Sequence, residues 1–349
     1  MIKVVLADDS PFLRQVLRGV LETSGKFEVA GEAKNGKEAI EQVKAIKPDI
    51  LILDCEMPVM NGLEALRRIM DECPLPVFIF STLAHEGASV TLKALEYGAV
   101  DFLAKPAAGA HSLEQVKDEI IAKLEYVARR NRWRAGAASS EKAAPAVTPV
   151  RKAVDVSRKA VDIIAIGSST GGVQAAVEVV KRLPPVTKPI VWVQHMPATF
   201  TGSFAARLNS LGTVKVCEAK NGQVLEDNHC YIAPGGYQMR VRKTGTQTIL
   251  NIGGIEKVNG FCPSCDILFD SVAQHFSSRA VGVILTGMGD DGTKGLVNMR
   301  KKGAFVVGQN EATCVVYGMP KAAYQGGGVD METDLFHIPD VLAKIGAVS

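Results

Sequence analysis

The chain has 349 residues, of which 22% are charged, and a formal net charge of +3. This length accommodates two domains with sizeable cores, and the small net charge excludes the strongly basic surface typical of nucleic-acid binding. Seven scattered cysteines, the lack of a signal-peptide pattern and the lack of a long apolar stretch predict a soluble, cytoplasmic protein without membrane insertion.

Residues 1–127 alternate short apolar runs with segments of helical periodicity. The predicted strands are Lys3–Ala7, Phe27–Ala30, Ile50–Leu53, Val77–Phe80 and Asp101–Leu103. The predicted helices are Phe12–Glu22, Gly36–Ile46, Gly62–Cys73, Ser89–Tyr97 and Ser112–Arg130. Strand–helix alternation at this spacing predicts a parallel sheet covered by helices on both faces.

Residues 128–159 are predicted to be a linker, because Arg134–Pro149 is rich in alanine, serine and proline and poor in large apolar side chains. The alternation resumes over residues 160–349 and predicts a second α/β domain. Its predicted strands are Ile163–Ile166, Ile190–Val193, Cys230–Ala233, Val281–Leu285 and Ala304–Val307.

Polar side chains lie at or after the ends of strands in the first domain, where a parallel sheet gathers its functional residues. They are Asp8, Asp9, Asp54, Ser81 and Lys105. Three carboxylates beside a lysine indicate a site for a hard divalent cation, and Mg²⁺ suits carboxylates together with phosphate oxygens. Alternatively, Asp9 or Ser10 caps the helix that begins near Pro11, but capping leaves the other polar residues unexplained.

These residues stand in motifs that resemble the receiver domain of two-component systems. The motifs are Ala7-Asp-Asp9, Leu53-Asp-Cys-Glu-Met-Pro58 with Asn61-Gly62, Ser81, and Phe102-Leu-Ala-Lys105-Pro106. The resemblance covers the whole first domain and implies a flavodoxin-like fold. It also implies that Asp54 accepts a phosphoryl group from a histidine kinase. A carboxylate nucleophile needs a metal ion and a lysine, because these positive charges lower its repulsion with the incoming phosphoryl group.

The same resemblance assigns the remaining residues of the pocket. It implies that Asp8, Asp9 and Asp54 hold Mg²⁺ with the backbone carbonyl of Glu56. It further implies that Ser81, Phe102 and Lys105 form the switch that responds to phosphorylation. The first domain is therefore expected to be a regulatory switch.

In the second domain, the apolar run from Ile163 enters a small-residue turn whose Gly167–Gly171 segment fits G-x-S-x-G around Ser169. A nucleophilic serine needs a base, and among the six histidines only His195 follows a predicted strand at its carboxyl end. A structural histidine and a non-catalytic turn remain the alternatives.

A glycine-rich loop after the strand at Val281–Leu285 offers Asp290 and Asp291 as the carboxylate partner of that histidine. Periodicity does not choose between them, and either aspartate could simply cap the helix beginning near Thr293. The backbone N–H groups of Met288, in this loop, and of Thr170 are candidates for an oxyanion hole.

The order Ser…His…Asp differs from the Ser…Asp…His order of α/β-hydrolases, so the G-x-S-x-G motif does not indicate that fold. The domain instead resembles the chemotaxis-type protein-glutamate methylesterase family. The motifs are Ile166–Gly172, Gln194–Pro197, Tyr231–Gly236, Pro263-Ser264 with Asp266, and Thr286–Gly292.

This resemblance implies a doubly wound, Rossmann-like domain with Ser169 as nucleophile, His195 as base and Asp291 as the orienting acid. It implies hydrolysis of glutamate methyl esters on methylated chemoreceptors, with release of methanol, and deamidation of receptor glutamines. No cofactor is expected in the esterase site. Ser168 stands where alanine is frequent in the family, and Asp290 stands where an uncharged polar residue is frequent. Phosphorylation of Asp54 is expected to uncover the site.

Three other interpretations have weaker support. A nucleotide-binding second domain would need glycine spacings that this chain lacks, and a DNA-binding regulator would need a helix-turn-helix with a basic face. Cys262 and Cys265 form a C-x-x-C, but no further ligands at zinc-site spacing accompany them. They are expected to be small residues lining a substrate loop.

Overall fold

The computed structural model describes residues 1–81, 85–105, 117–118, 120–129, 160–185 and 188–346. The chain divides into two compact units, Met1–Ala144 and Pro145–Ser349. Most of the predicted helix at Ser112–Arg130 is described and is helical to residue 129, past the predicted start of the linker at residue 128. The rest of the predicted linker, residues 130–159, lies outside the described residues.

The first unit is a parallel sheet flanked by helices. Its strands are β1 (Ile2–Ala7), β2 (Phe27–Ala33), β3 (Ile50–Asp54), β4 (Val77–Ser81) and β5 (Asp101–Ala104). Its helices are α1 (Pro11–Thr23), α2 (Gly36–Ile46), α3 (Gly62–Glu72), α4 (His85–Glu96) and α5 (120–129). The strand order among the described residues is β2-β1-β3-β4-β5, and every residue of β3 and β4 is buried. The predicted parallel α/β fold is confirmed.

Local signals set the helix starts around the acidic pocket. Ser10 caps α1, with its hydroxyl accepting from the N–H of Leu13, so the cap does not use Asp9. Asn61 caps α3 in the same way, and Gly62 follows it. A Cβ atom on Gly62 would lie 1.9 Å from the carbonyl oxygen of Asp54, so only glycine permits α3 to begin this close to β3.

The second unit is a larger parallel sheet with an added antiparallel hairpin. The sheet contains β6 (Ile163–Ser168), β7 (Ile190–Gln194), β8 (Lys215–Glu218), β9 (His229–Ile232), β12 (Ala280–Ile284), β13 (Phe305–Gln309) and β14 (Met331–Thr333). The hairpin pairs β10 (Met239–Thr244) with β11 (Gln247–Ile252). The helices are α6 (Gly172–Arg182), α7 (Ala198–Asn209), α8 (Cys265–Phe276), α9 (Thr293–Lys301), α10 (Met319–Gln325) and α11 (Ile338–Gly346).

The strand order in this part of the structure is β14-β13-β12-β6-β7-β9-β8, so the chain moves outward from β6 first to one side and later to the other. Such a reversal opens a crevice at the carboxyl ends of the central strands, where doubly wound proteins bind their ligands. The central strands β6, β7 and β12 are buried along their whole length. The doubly wound prediction is confirmed, and the crevice lies at the ends of β6, β7 and β12.

The sequence did not predict strands β8, β10, β11 and β14. Strands β10 and β11 carry exposed polar side chains over much of their length, and β14 has three half-buried residues. Such strands lack the continuous apolar run that marks a buried parallel strand, which explains why the pattern missed them.

Candidate active site

Ser169 lies in the turn that joins β6 to α6. Its N–H donates to the carbonyl of Thr286 (3.0 Å), and its own carbonyl accepts from the N–H of Gly172 (2.7 Å). Gly171 has φ +77°, and a Cβ atom there would lie 2.5 Å from Cβ of Val315. The turn therefore requires glycine at this position, and it leaves Ser169 partly exposed between buried neighbours.

A buried polar network joins this turn to the end of β7. The indole N–H of Trp192 donates to Oγ of Ser168 (2.8 Å), and that hydroxyl donates to Oε1 of Gln194 (2.6 Å). The Nε2 of Gln194 then donates to the carbonyl of Ser169 (2.9 Å). Every group in this chain of contacts has a partner, so the network fixes the serine turn relative to the strand that leads to His195.

The His195 ring is held by a hydrogen bond to Asp291 and by stacking on an aromatic ring. Its Nε2 lies 2.8 Å from Oδ2 of Asp291, although 96 positions separate the two residues. The ring of Phe261 stacks on it with centroids 3.8 Å apart and an interplanar angle of 8°. Nδ1 of His195 is buried and makes no hydrogen bond within the described part of the chain.

Asp291 is 1% exposed and accepts several hydrogen bonds besides that from His195. Its Oδ2 accepts from the N–H of Cys265 (2.7 Å), and its Oδ1 accepts from Oγ of Ser264 (2.7 Å) and Nδ2 of Asn259 (2.9 Å). Burial opposes ionisation, but the donors, with His195 first, outweigh it and lower the pKa of Asp291 to about 2.

The ionised state of Asp291 decides where the neutral imidazole carries its proton. A carboxylate can only accept, so Nε2 of His195 must donate to it. The lone pair of the ring is then on Nδ1, the nitrogen without a partner. The ring therefore offers Nδ1 as the basic nitrogen.

The neighbouring aspartate has a different position. Asp290 is exposed, and its backbone carbonyl accepts from the N–H of Thr293 (3.0 Å) at the start of α9. The structure thus brings Asp291 to His195 and directs Asp290 to the surface, a distinction that periodicity alone did not provide.

The loop after β12 packs directly against the serine turn. A Cβ atom on Gly287 would lie 2.9 Å from Cβ of Ser169, and Oγ1 of Thr286 donates to the carbonyl of Thr170 (2.9 Å). The N–H of Met288 makes no hydrogen bond among the described residues. This free backbone donor follows Gly287, which approaches Ser169, and an oxyanion hole requires such a donor.

Sequence reasoning assigned no role to several residues around this site. Phe261 and Asn259 touch the His195–Asp291 pair from an irregular segment that no periodic pattern marks. Ser264 and Asp266 stood in a motif without a function. Cys265 is fully buried with Sγ 3.7 Å from Nε2 of His195, and burial raises the pKa of its thiol well above the ordinary value. The C-x-x-C therefore contributes a packed neutral thiol and a backbone N–H to the histidine–aspartate pair.

The first unit has its own polar site at the ends of β1, β3 and β5. Nζ of Lys105 lies 2.9 Å from Oδ2 of Asp8 and 2.7 Å from Oδ2 of Asp54. Burial raises the pKa of Asp54 to about 6, although the adjacent Lys105 acts in the opposite direction. Carboxylate oxygens of Asp8, Asp9 and Asp54 lie within 4.8 Å of one another, so this donor set fits a hard divalent cation.

Two of the predicted switch residues, Ser81 and Phe102, lie on β4 and β5. Ser81 ends β4, and its Oγ accepts from Oγ1 of Thr91 (2.7 Å). Phe102 is 8% exposed on β5, with Nζ of Lys123 5.9 Å from its ring centroid. The N–H of Glu56 donates to Oδ1 of Asp54 (3.3 Å), which places the Glu56 backbone beside the acidic cluster.

Both units match known families. Residues 4–117 match the response regulator receiver domain, and residues 164–342 match the family described as CheB methylesterase. Together, the two folds and the serine–histidine–aspartate crevice define a class: response regulators with a hydrolase-type output domain. The chain belongs to the CheB methylesterase family.

Relatives and a solved structure agree with this membership. Two relatives are named protein-glutamate methylesterase/protein-glutamine glutaminase. The protein from Pyrococcus horikoshii is 42% identical, covering 98% of this chain and 93% of its own length. The protein numbered 1 from Caulobacter vibrioides is 45% identical, with coverages of 96% and 95%. The crystal structure of the Thermotoga maritima CheB methylesterase catalytic domain is 36% identical, with a TM-score of 0.52, and covers 53% of this chain and 99% of that one.

Two further observations bear on the setting of the protein. No helix in the described ranges is both long enough and apolar enough to cross a bilayer. All seven cysteines are free thiols.

Proposed function

We propose that the second domain is a serine hydrolase that demethylates glutamate methyl esters on chemoreceptors and deamidates specific receptor glutamines. The observation that carries this proposal is the hydrogen bond of 2.8 Å between Nε2 of His195 and Asp291, which leaves Nδ1 unpartnered in the crevice that also contains Ser169. The names of the relatives support the choice of substrate.

In the proposed reaction, Oγ of Ser169 attacks the ester carbonyl of the methylated glutamate while Nδ1 of His195 takes the hydroxyl proton. Asp291 stabilises the resulting imidazolium through Nε2. The N–H groups of Met288 and Thr170 stabilise the oxyanion of the tetrahedral intermediate. The imidazolium then protonates the leaving methoxide, which departs as methanol and leaves an acyl-enzyme.

Water completes the cycle. Nδ1 of His195 removes a proton from water as it attacks the acyl-enzyme, and the C–O bond to Ser169 breaks with return of that proton to Oγ. The products are a receptor glutamate and methanol. With a glutamine substrate, the same first step releases ammonia instead of methanol, because only the leaving group differs.

For the first domain, the proposed role is control of this activity by phosphorylation of Asp54 from a histidine kinase. Asp8, Asp9, Asp54 and the carbonyl of Glu56 would hold Mg²⁺, which when bound offsets the negative charge that phosphoryl transfer brings into the pocket. Lys105 pairs with the phosphorylated side chain, and Ser81 and Phe102 respond to it. The free thiols suit the reducing cytoplasm, where this control would operate.

The test measures methanol release from methylated receptor membranes by full-length wild type, Ser169→Ala and Asp54→Ala, with and without a small phosphodonor. Wild type is expected to be stimulated by the donor. Ser169→Ala is expected to lose turnover, and Asp54→Ala is expected to retain only the basal rate. Full turnover in Ser169→Ala would exclude the serine mechanism, and equal stimulation of Asp54→Ala would exclude the switch.

A further inference from the structure

A short turn ahead of α8 touches both members of the histidine–aspartate pair. Val258 and Phe261 exchange two backbone hydrogen bonds of 2.9 Å, with Asn259 and Gly260 between them at φ +54° and +87°. Two central residues with positive φ define the tight turn for which Asn-Gly is the preferred sequence. The turn delivers the ring of Phe261 to His195 and the amide of Asn259 to Asp291.

The amide of Asn259 joins two buried carboxylates. Its Nδ2 donates to Oδ1 of Asp291 (2.9 Å) and to Oδ2 of Asp266 (2.8 Å). These aspartates are 1% and 5% exposed, whereas the Asn259 residue itself lies at the surface. Both neighbours are acceptors, so only the NH₂ group, with its two protons, can face them.

The ionisable groups around His195 and Asp291 give the Asn259 amide an electrostatic role. Asp266 and Cys265, both on α8, lie beside Asp291, and the carboxyl of Asp266 shares the Asn259 amide with it. The exposed Asp290 directly precedes Asp291 in the loop. Burial raises the pKa of Asp266, and the nearby Asp291 acts in the same direction. A neutral donor between the two carboxyl groups reduces their repulsion and anchors Oδ1 of Asp291 while its Oδ2 contacts His195.

We propose that Asn259 is a positioning residue of the esterase site, whose amide holds Asp291 against His195 and sets the pH range in which His195 is a free base. This inference rests on the proposed hydrolase function. A role confined to the backbone turn is the alternative. Glycine and aspartate both suit the same turn, so they change the amide and leave the turn intact.

The experiment compares the full-length wild type with Asn259→Gly and Asn259→Asp across pH, measuring kcat/KM for methanol release from methylated receptor membranes. Asn259→Asp places a third acceptor against two carboxylates and stabilises the imidazolium. The acid limb of kcat/KM is therefore expected to move upward by about one pH unit or more. Asn259→Gly is expected to move it less and to lower kcat/KM about tenfold at neutral pH, because the hydrogen bonds to Asp291 and Asp266 are lost.

Asn228→Gly is the matched control. Asn228 also has a positive φ, of +58°, and its side chain bonds to the carbonyl of Thr213, away from His195. This variant is expected to keep the wild-type pH profile. A profile in Asn259→Asp that superimposes on the wild type would overturn the inference.

A second readout separates this inference from the proposed function. The titration of the His195 ring is followed by NMR in the full-length chain, with its resonance assigned from the His195→Gln spectrum. An upward displacement in Asn259→Asp supports the inference even if wild type releases no methanol, an outcome that would refute the proposed function alone. If Asn259→Asp does not fold, the displacement in Asn259→Gly decides, and its absence there overturns the inference.

Discussion

Replacement of Asp291 by asparagine tests the geometry of the site most directly. Both oxygens of Asp291 accept hydrogen bonds: Oδ2 from His195 and Cys265, and Oδ1 from Ser264 and Asn259. Asparagine must present an NH₂ group at one of these positions, where it meets at least one fixed donor. With NH₂ towards His195, Nε2 must accept, so the ring proton moves to Nδ1 and the proposed basic nitrogen is lost.

The structure gives a magnitude for both activity and stability. The wrong tautomer in a serine triad lowers kcat by roughly 10⁴-fold. The pKa of Asp291 is lowered from 3.8 to about 2, which corresponds to roughly 2 kcal/mol of folding free energy. Because the folded-state pKa is depressed, this stabilisation is present above pH 3.8 and is lost as the pH falls towards 2.

The assays are methanol release and urea unfolding at pH 7, with Asp290→Asn as the matched control. Asp291→Asn is expected to lose activity and about 2 kcal/mol of stability at this pH. Asp290→Asn is expected to change neither by much, because Asp290 is exposed. A loss below about tenfold in Asp291→Asn would refute the assignment of Nδ1 as the base.

Three further changes test other parts of the structure. Ser168→Ala leaves the indole N–H of Trp192 and Oε1 of Gln194 without their partner. Urea unfolding should therefore show that the free energy of unfolding falls by about 1–3 kcal/mol. Unchanged stability would contradict the network. Phe261→Leu removes the ring that stacks on His195. The kcat for methanol release should fall, while the thermal unfolding temperature should change little. An unaltered kcat would show that stacking does not orient His195. Gly62→Ala should destabilise the chain by about 1–3 kcal/mol and slow phosphorylation of Asp54, measured with a radiolabelled small donor. Gly19→Ala has open space around its Cβ, so this helical control should be neutral or stabilising; equal losses in the two variants would contradict the close-approach argument.

Much of the first unit could be predicted from the sequence because its strands are continuous apolar runs that end in polar residues. The order of such strands in a parallel sheet places their last residues at one edge, and Asp8, Asp54 and Lys105 indeed meet there. The sequence also placed Ser169 and His195 after the carboxyl ends of strands, and in the structure those strands, β6 and β7, are paired neighbours.

The remaining features depend on contacts that no local pattern encodes. Asp290 and Asp291 are adjacent in one loop, and only the three-dimensional path of that loop turns one inward and the other outward. Asn259 and Phe261 belong to a tight turn, and its Asn-Gly sequence indicates a reversal of the chain. The residues that this turn contacts depend on where the chain places α8 and the loop after β12. Hydrophobic periodicity carries no information about such long-range placement.

The residues of the esterase site follow three different central strands, β6, β7 and β12, and this arrangement has a consequence for folding. His195 and Asp291 are 96 positions apart, and they meet only after β12 has paired with β6 in register. Closing so large a loop is an entropically costly and slow step in the formation of a parallel sheet. Esterase activity should therefore return during refolding only with the last central strand, well after helical circular dichroism has recovered.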